Sequence, residues 1–265
     1  KAKDFNFESI AITDDSNLFG FVKFYKEMRD KGIKPICGVN FNSVKDISDN
    51  SESGKLTLYA KNFEGYRNLT MLVSKSHIEG RIRSIPHLKL EWLKDLNEGL
   101  ILLSGDMEGH IADAILKNNF VLAEARIDFF KKIFNEDFFI EISRLGRERE
   151  EDYINIVSSM AAKAKIPLVA TNQVRFMEEE EFEAHETRVC IQNGNVLSDP
   201  ARKKNYLSTQ YFKSTDEMFE LFEDIPEALE NSYLISQKCN LVIELGKYIL
   251  PVSYTHLRAH ETPAN

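Results

Sequence analysis

Two adjacent carboxylates, Asp14 and Asp15, follow a short apolar run and precede Ser16 and Asn17. A pair of acids at the end of a strand can hold a divalent cation, because carboxylate oxygens are ligands that Mg²⁺ and Ca²⁺ prefer. The same segment can instead cap the helix that follows, since Asp, Ser and Asn accept hydrogen bonds from the free N–H groups of a first turn. With no other ligand nearby in the sequence, we favour capping and keep metal binding as the alternative.

The remaining side chains with catalytic potential are scattered. His77, His87 and His110 lie far apart, and His185 lies in a predicted helix beside Glu186, so we expect structural roles for all four. The sequence contains no G-x-x-x-x-G-K-[ST] phosphate loop, no G-x-G-x-x-G fingerprint and no G-x-S-x-G elbow. The three cysteines are odd in number and widely spaced, which favours reduced thiols in a cytoplasmic protein over a disulfide scaffold or a zinc knuckle.

The charge distribution argues against strong binding of nucleic acid. The formal net charge is −8 at pH 7, and the densest charge run, residues 178–181, is acidic. Basic runs such as 202–204 are short, whereas a surface that grips phosphate groups needs clustered Lys and Arg. We therefore interpret these runs as solvated surface. The apolar runs are too short to span a bilayer and no signal peptide is recognisable, so we expect a cytoplasmic location without membrane contact.

The elements that must position these residues alternate regularly. Six short apolar or β-branched runs predict strands at 9–13, 33–41, 56–60, 100–103, 138–142 and 168–171. Apolar residues at helical spacing follow the first run, follow the third run and precede the sixth. A capping box at 214–217 and Pro226 predict two more helices. Residues 198–212 break the alternation as an excursion, for which a hairpin is one option.

Strands separated by single helices run parallel, because a crossover helix returns the chain to the same end of the sheet. Continuous apolar strands are typical of a parallel sheet that is buried on both faces. We therefore predict an α/β fold, a closed or nearly closed β/α barrel, with any site at the carboxyl ends of its strands.

Several segments in the same order resemble the PHP domain of bacterial DNA polymerase III alpha subunits, which are replicative C-family DNA polymerases. The segments that carry the resemblance are 11–14, 32–38, 97–105, 169–172, 182–189 and 224–229. The similarity runs from about residue 7 to 251. It implies a distorted (β/α)7 barrel whose first strand lies upstream of this chain. It also implies a metal site at the barrel mouth in those PHP proteins that are active phosphoesterases.

Most positions of that metal site are changed here. Asp14 matches a ligand position of the family. The other positions carry Asp15 in place of a histidine, Asn40 in place of a carboxylate, Asp106 in place of a cysteine, Leu145 in place of a histidine, and Asn172-Gln173-Val174-Arg175 in place of Asn-Asp-x-His. Leu145 has no donor atom, and Arg175 brings a permanent cation to the site. We predict that no metal binds and that Arg175 pairs with Asp14 or Asp15 instead.

By the same resemblance, the parent protein is a DNA-directed DNA polymerase with a Mg²⁺-dependent palm outside this chain. Its PHP domain then lacks catalytic residues, docks the proofreading exonuclease subunit and other replicase subunits, braces neighbouring polymerase domains, and meets DNA through other domains. The alternative is an active metal-dependent PHP phosphoesterase.

The resemblance also divides the chain. We expect residues 1–197 to form the PHP barrel, 198–252 to end that domain and lead into the polymerase core, and 253–265 to be a non-native tail, since all helical or strand periodicity stops after Pro251.

Overall fold

The computed structural model describes residues 1–47, 49–199 and 201–246, so the predicted tail at 253–265 lies outside the described residues. The fold is mixed α/β, with a curled half-barrel sheet. Its strands are β1 (Ser9–Asp15), β2 (Lys34–Asp46), β3 (Asp49–Ala60), β4 (Arg81–Ile82), β5 (Ile85–Pro86), β6 (Leu88–Lys89), β7 (Leu100–Leu103), β8 (Phe138–Ser143) and β9 (Leu168–Thr171). Its α-helices are α1 (Phe21–Asp30), α2 (Phe63–Ile78), α3 (His110–Leu116), α4 (Phe120–Phe134), α5 (Glu150–Ala164), α6 (Phe182–Asn193), α7 (Thr215–Leu221) and α8 (Pro226–Lys238).

All six predicted strands are present, as β1, β2, β3, β7, β8 and β9. The three helical stripes form α1, α2 and α5, because each puts apolar residues on the face that the sheet buries. Ser214 caps α7, since its side chain accepts from the Glu217 N–H and the Glu217 carboxylate accepts from the Ser214 N–H. Pro226 begins α8, where its missing N–H has no helical partner to lose.

The prediction that all strands run parallel is wrong for β3. The sheet order is β1-β2-β3-β7-β8-β9, with β6 beside β2, and β3 is antiparallel to both neighbours. The physical reason is the link between β2 and β3, which is a hairpin rather than a crossover helix, so the chain reverses direction there. The amino-terminal half of β3 consequently lies where the other main strands end.

The predicted α/β fold with a closed or nearly closed barrel is confirmed as a curled half-barrel, whose sheet in the described part of the chain runs from β1 at one side to β9 at the other. A strand upstream of β1 stays a prediction. The hairpin considered for 198–212 is absent from the described part of that segment, which makes one isolated bridge, Phe176 with Tyr211. Backbone bonds from Arg175 N–H to the Gln210 carbonyl and from Phe212 N–H to the Phe176 carbonyl hold it against the chain that follows β9.

These elements bring five loops together at one end of the sheet, which we call the mouth. Four of the loops follow β1, β7, β8 and β9, and the fifth joins the carboxyl end of β2 to the amino end of β3. Residues 207–213, which we call the strap, are bonded to the loops after β8 and β9. The six residues of β8 are all buried, so the loops of the mouth extend from a well-packed part of the sheet. Within the described residues, no helix is long and apolar enough to cross a membrane.

Candidate functional site at the mouth of the half-barrel

An open cavity of about 1720 Å³ lies inside the curl of the sheet and reaches the mouth. Six of the eight residues predicted for the vestigial metal site line it: Asp14, Asp15, Asn40, Asn172, Gln173 and Arg175. Asp106 and Leu145 are buried behind the cavity wall, at 0% and 2% exposure. The mouth therefore gathers residues more than 150 positions apart in the sequence.

Asp106 is the centre of the polar contacts at the mouth. Its side chain accepts hydrogen bonds from the Ser143 N–H (3.2 Å) and hydroxyl (2.5 Å). The Arg147 guanidinium donates to the same carboxylate at 3.1 Å and to the side-chain amide oxygen of Gln173 at 2.7 Å. Gln173 in turn donates to Asp106 at 3.1 Å. A closed triangle of Asp106, Arg147 and Gln173 thus joins the segments that follow β7, β8 and β9.

A second buried carboxylate, Glu141, lies on β8 within the electrostatic reach of Asp106. It accepts from the Thr171 hydroxyl at 2.8 Å and from the Gly105 N–H at 3.2 Å. Burial and the charge of Asp106 together raise the pKa of Glu141 to about 7, against the lowering effects of Thr171, Gly105 and Arg147. Burial likewise raises the pKa of Asp106 to about 6, against the lowering effects of Ser143 and Arg147. One guanidinium therefore serves two buried acids, and the pair shares protons near neutral pH.

Arg175 makes the predicted contact with Asp15, but the contact is loose. The two charged groups are 3.8 Å apart, and the Asp15 side chain is 60% exposed. The Arg175 guanidinium also lies over the Tyr206 ring, 5.5 Å from its centroid. Asn40 pairs with Asp15 in the parallel β1–β2 register and accepts from the Thr57 hydroxyl at 2.7 Å. An exposed ion pair of this length contributes little to stability.

At Leu145 and Asn172, main-chain and amide groups make the contacts. The Leu145 N–H donates to the Glu150 carboxylate at 2.9 and 3.0 Å, and its carbonyl accepts from Thr209 of the strap at 2.7 Å. The Asn172 side chain donates to the Tyr211 carbonyl at 2.6 Å and accepts from the Lys213 ammonium at 3.1 Å. Both positions therefore fasten the strap.

The donor set does not match that of a metal centre. Among the described residues, no group of three or more His, Cys, Asp or Glu side chains is arranged to hold an ion. Both Asp106 oxygens accept from protein donors, and Leu145 offers only a main-chain carbonyl that already accepts from Thr209.

Comparison with known proteins places this geometry in a family. A family model described as PHP domain matches residues 1–145, more than half of the chain. The chain belongs to the PHP domain family.

The relatives of this PHP domain include polymerase subunits. DNA polymerase III subunit alpha of Vibrio cholerae is 45% identical over 243 residues, which are 92% of this chain and 21% of that protein. The Escherichia coli (strain K12) protein of the same name is 43% identical over 251 residues, 95% of this chain and 22% of that protein. The chain thus spans about a fifth of the length of the curated relatives that it matches. A solved structure of a putative metal-dependent phosphoesterase from Bifidobacterium adolescentis is 9% identical, with a TM-score of 0.45 and coverage of 83% and 87%.

Three polar side chains at the mouth of this PHP domain were missed by sequence reasoning. Glu141 could have been found, because it is an acid inside the apolar run of β8. Arg147 and Lys213 had no such sign. Their partners, Asp106 and Asn172, each lie 41 positions away, and no sequence pattern links them.

The buried acids predict a pH-dependent stability. Because the folded pKa of Glu141 is raised to about 7, its contribution is fully present below its unfolded pKa of about 4.3 and is lost as pH rises through 7. Glu141→Gln removes this titration, so the stability advantage of the native chain over the variant is expected to shrink between pH 5 and 8. The slope is at most about 1.4 kcal/mol per pH unit. Urea unfolding of both proteins across that range measures it.

A difference between the two proteins that stays constant with pH would contradict the assignment. His110 is a built-in reference, because burial lowers its pKa to about 4. Its effect runs the opposite way, with stability lost as pH falls from about 6.5 to 4, and it is common to both proteins and cancels in their difference.

Removing Arg147 is expected to destabilise the fold. Arg147→Met leaves Asp106 buried without its cation, which costs about 2–3 kcal/mol at pH 8. The loss is smaller at pH 5, because Asp106 then takes up a proton. Thermal and urea unfolding measure both values. Arg67→Met is the matched control, since Arg67 is 61% exposed in an i,i+3 pair with Glu64 and its loss should cost less than about 0.5 kcal/mol. If both variants lost the same free energy of unfolding, the prediction that Arg147 stabilises buried Asp106 would be wrong.

Proposed function

We propose that this chain is the PHP domain of a DNA polymerase III alpha subunit and that it serves DNA replication as a metal-free structural domain. Support for the parent protein comes from 43–45% identity to alpha subunits over more than nine-tenths of the chain. In that parent, DNA synthesis and its Mg²⁺ belong to other domains, and this chain contributes no catalytic residue.

The observation that carries the metal-free assignment is the Arg147 guanidinium on Asp106. A guanidinium stays charged at every relevant pH, so a divalent ion at Asp106 has to displace it and leave that cation without its buried partner. Lys213 gives a second, independent support. Its buried ammonium is held by Asn172 and the Thr209 carbonyl, which adds a further fixed cation among the residues that replace the ligands of active relatives.

A docking role fits the surface of α2. Phe63, Met71 and Ile78 are 56%, 48% and 80% exposed and recur at helical spacing on its outer face. Phe19 is 90% exposed and lies just before α1. It is close to the last turn of α2, because His77 of that turn contacts the carbonyl of Ser16. Exposed apolar residues in one region mark protein–protein contacts. We assign the proofreading exonuclease subunit and neighbouring polymerase domains as partners in this role.

The metal-free assignment predicts that the chain has no metal-dependent phosphoesterase activity. Purified protein with Mn²⁺ or Zn²⁺ is expected to hydrolyse a chromogenic phosphate ester no faster than buffer with the same ion, and calorimetry should detect no stoichiometric metal binding. An active PHP phosphoesterase assayed in parallel shows that the conditions support turnover. EDTA-sensitive hydrolysis by this chain would establish the alternative function.

The assignment of the parent protein is tested on its gene. Long reads across the locus are expected to show the reading frame continuing from this domain into a polymerase palm with catalytic carboxylates. The full-length protein should then extend a primed template in the presence of Mg²⁺. A frame that stops soon after this domain, with an upstream His-x-His pair, would favour a free-standing PHP hydrolase.

A further inference from the structure

A small basic hairpin stands at the rim of the mouth. Strands β4 and β5 pair Arg81 with Pro86 and Ile82 with Ile85, so the chain turns through two residues, Arg83 and Ser84. We call residues 81–86 the rim hairpin. It follows α2, whose last turn reaches the mouth through the His77 contact to the Ser16 carbonyl at 2.8 Å.

The base of the rim hairpin is fixed. Leu88 is fully buried and pairs with Ser43 beside the mouth end of β2. The His87 N–H donates to the Gly80 carbonyl at 2.9 Å, and a side chain at Gly80 would collide with the backbone of His87. The tip therefore projects from a rigid support rather than from a loose loop.

The cations at the tip are free of carboxylate partners. Arg81 makes one weak contact, 3.4 Å to the Ser84 carbonyl within the same turn. Arg83 is exposed and makes no hydrogen bond, ion pair or ring contact with the described residues. Of the other exposed arginines in the described residues, Arg67 is paired with an acid, whereas Arg29, Arg149 and Arg188 form no ion pair and lie singly along the sequence. Arg81 and Arg83, two positions apart in the rim hairpin, thus present two guanidiniums without an acid partner, the kind of group that binds anions.

The surroundings keep that positive charge. Residues 75–94 contain five basic and two acidic side chains, in a chain with a net charge of −8. The two acids, Glu79 and Glu91, lie near their own lysines, Lys75 at 3.8 Å and Lys89 at 2.8 Å. The carboxylates close to the tip are therefore engaged away from its arginines.

The turn itself is unfavourable for the residues that form it. Arg83 and Ser84 have φ angles of +48° and +71°, the left-handed region. Two-residue turns of this kind favour Asn-Gly, because other side chains clash with the backbone there. The backbone conformation of Arg83 therefore costs folding free energy, while its side chain is exposed to solvent.

We propose that the rim hairpin binds the phosphodiester backbone of DNA through Arg81 and Arg83. The choice of DNA over an acidic protein rests on the proposed function, because the relatives are subunits of a DNA polymerase. The contact is independent of base sequence, since guanidiniums at a hairpin tip meet phosphates and carry no base readout. It adds an electrostatic contact at the mouth of a domain that is otherwise acidic.

The turn geometry supplies a test in which folding and binding separate. Asn is among the residues that best tolerate positive φ, so Arg83→Asn removes a cation while relieving the turn. The test protein is the complete chain carrying Arg81→Gln and Arg83→Asn. The control carries Lys132→Gln and Lys165→Asn. Lys165 is exposed at the end of α5 with φ +54°, and Lys132 is exposed on α4, so the control has the same charge change and the same relief of strain at distant positions.

Fluorescence anisotropy with a labelled duplex oligonucleotide, from 30 to 200 mM salt, measures the affinity. The slope of log K against log salt falls by about 0.9 for each phosphate contact removed, which is roughly an eightfold loss per contact at 0.1 M salt. We expect the double variant to lose about two such contacts and the control to retain nearly the native slope and affinity. Melting temperatures should be at or above the native value in both.

Equal losses in the variant and the control would show that only net charge matters and would overturn the proposal. Native DNA affinity in the variant would also overturn the proposal. If the variant at the same time bound a labelled poly-glutamate peptide more weakly, the hairpin would be assigned to an acidic protein. Because the assay uses only DNA and this chain, its outcome is separate from that of the gene and polymerase experiments.

Discussion

The buried carboxylate of Asp106 is the constraint on which the mouth depends. A charge at 0% exposure is tolerated only when it is neutralised or matched by a partner and by hydrogen bonds. Here Arg147, Gln173 and Ser143 provide both. Because these groups come from the ends of three neighbouring strands, satisfying one carboxylate fixes the relative positions of β7, β8 and β9.

The same principle explains how the strap is held. Three residues of the mouth present hydrogen-bonding groups to the strap. Leu145 presents a carbonyl to Thr209, Gln173 presents a carbonyl to Gln210, and Asn172 exchanges bonds with Tyr211 and Lys213. A main-chain and amide network at the mouth thus fixes the segment that leads to α7 and α8.

The sequence predicts the elements well, because their causes are local. Apolar runs specify the strands, and helical spacing specifies α1, α2 and α5. The direction of β3 was missed because it depends on the link from β2, where alternation alone suggested a crossover. Six of the eight residues that the resemblance singled out line the cavity, but the resemblance could not show which contacts they make there. Arg147 and Lys213 act through contacts between distant segments, and such pairing is decided only when the chain has folded.

Net charge and local charge act at different ranges in this domain. At physiological ionic strength, exposed charges more than about 8 Å apart are largely screened from each other, so the acidic run at 178–181 sets solubility and general repulsion rather than the field at a distant tip. Fixed cations at the rim act over that short distance. The charge of Arg147 is neutralised by its ion pair with Asp106, and the charge of Arg175 is partly neutralised by Asp15. Arg81 and Arg83 have no acid within ion-pair distance among the described residues. The rim therefore carries two cations that no neighbouring acid neutralises, whereas Arg147 and Arg175 inside the mouth are matched by carboxylates.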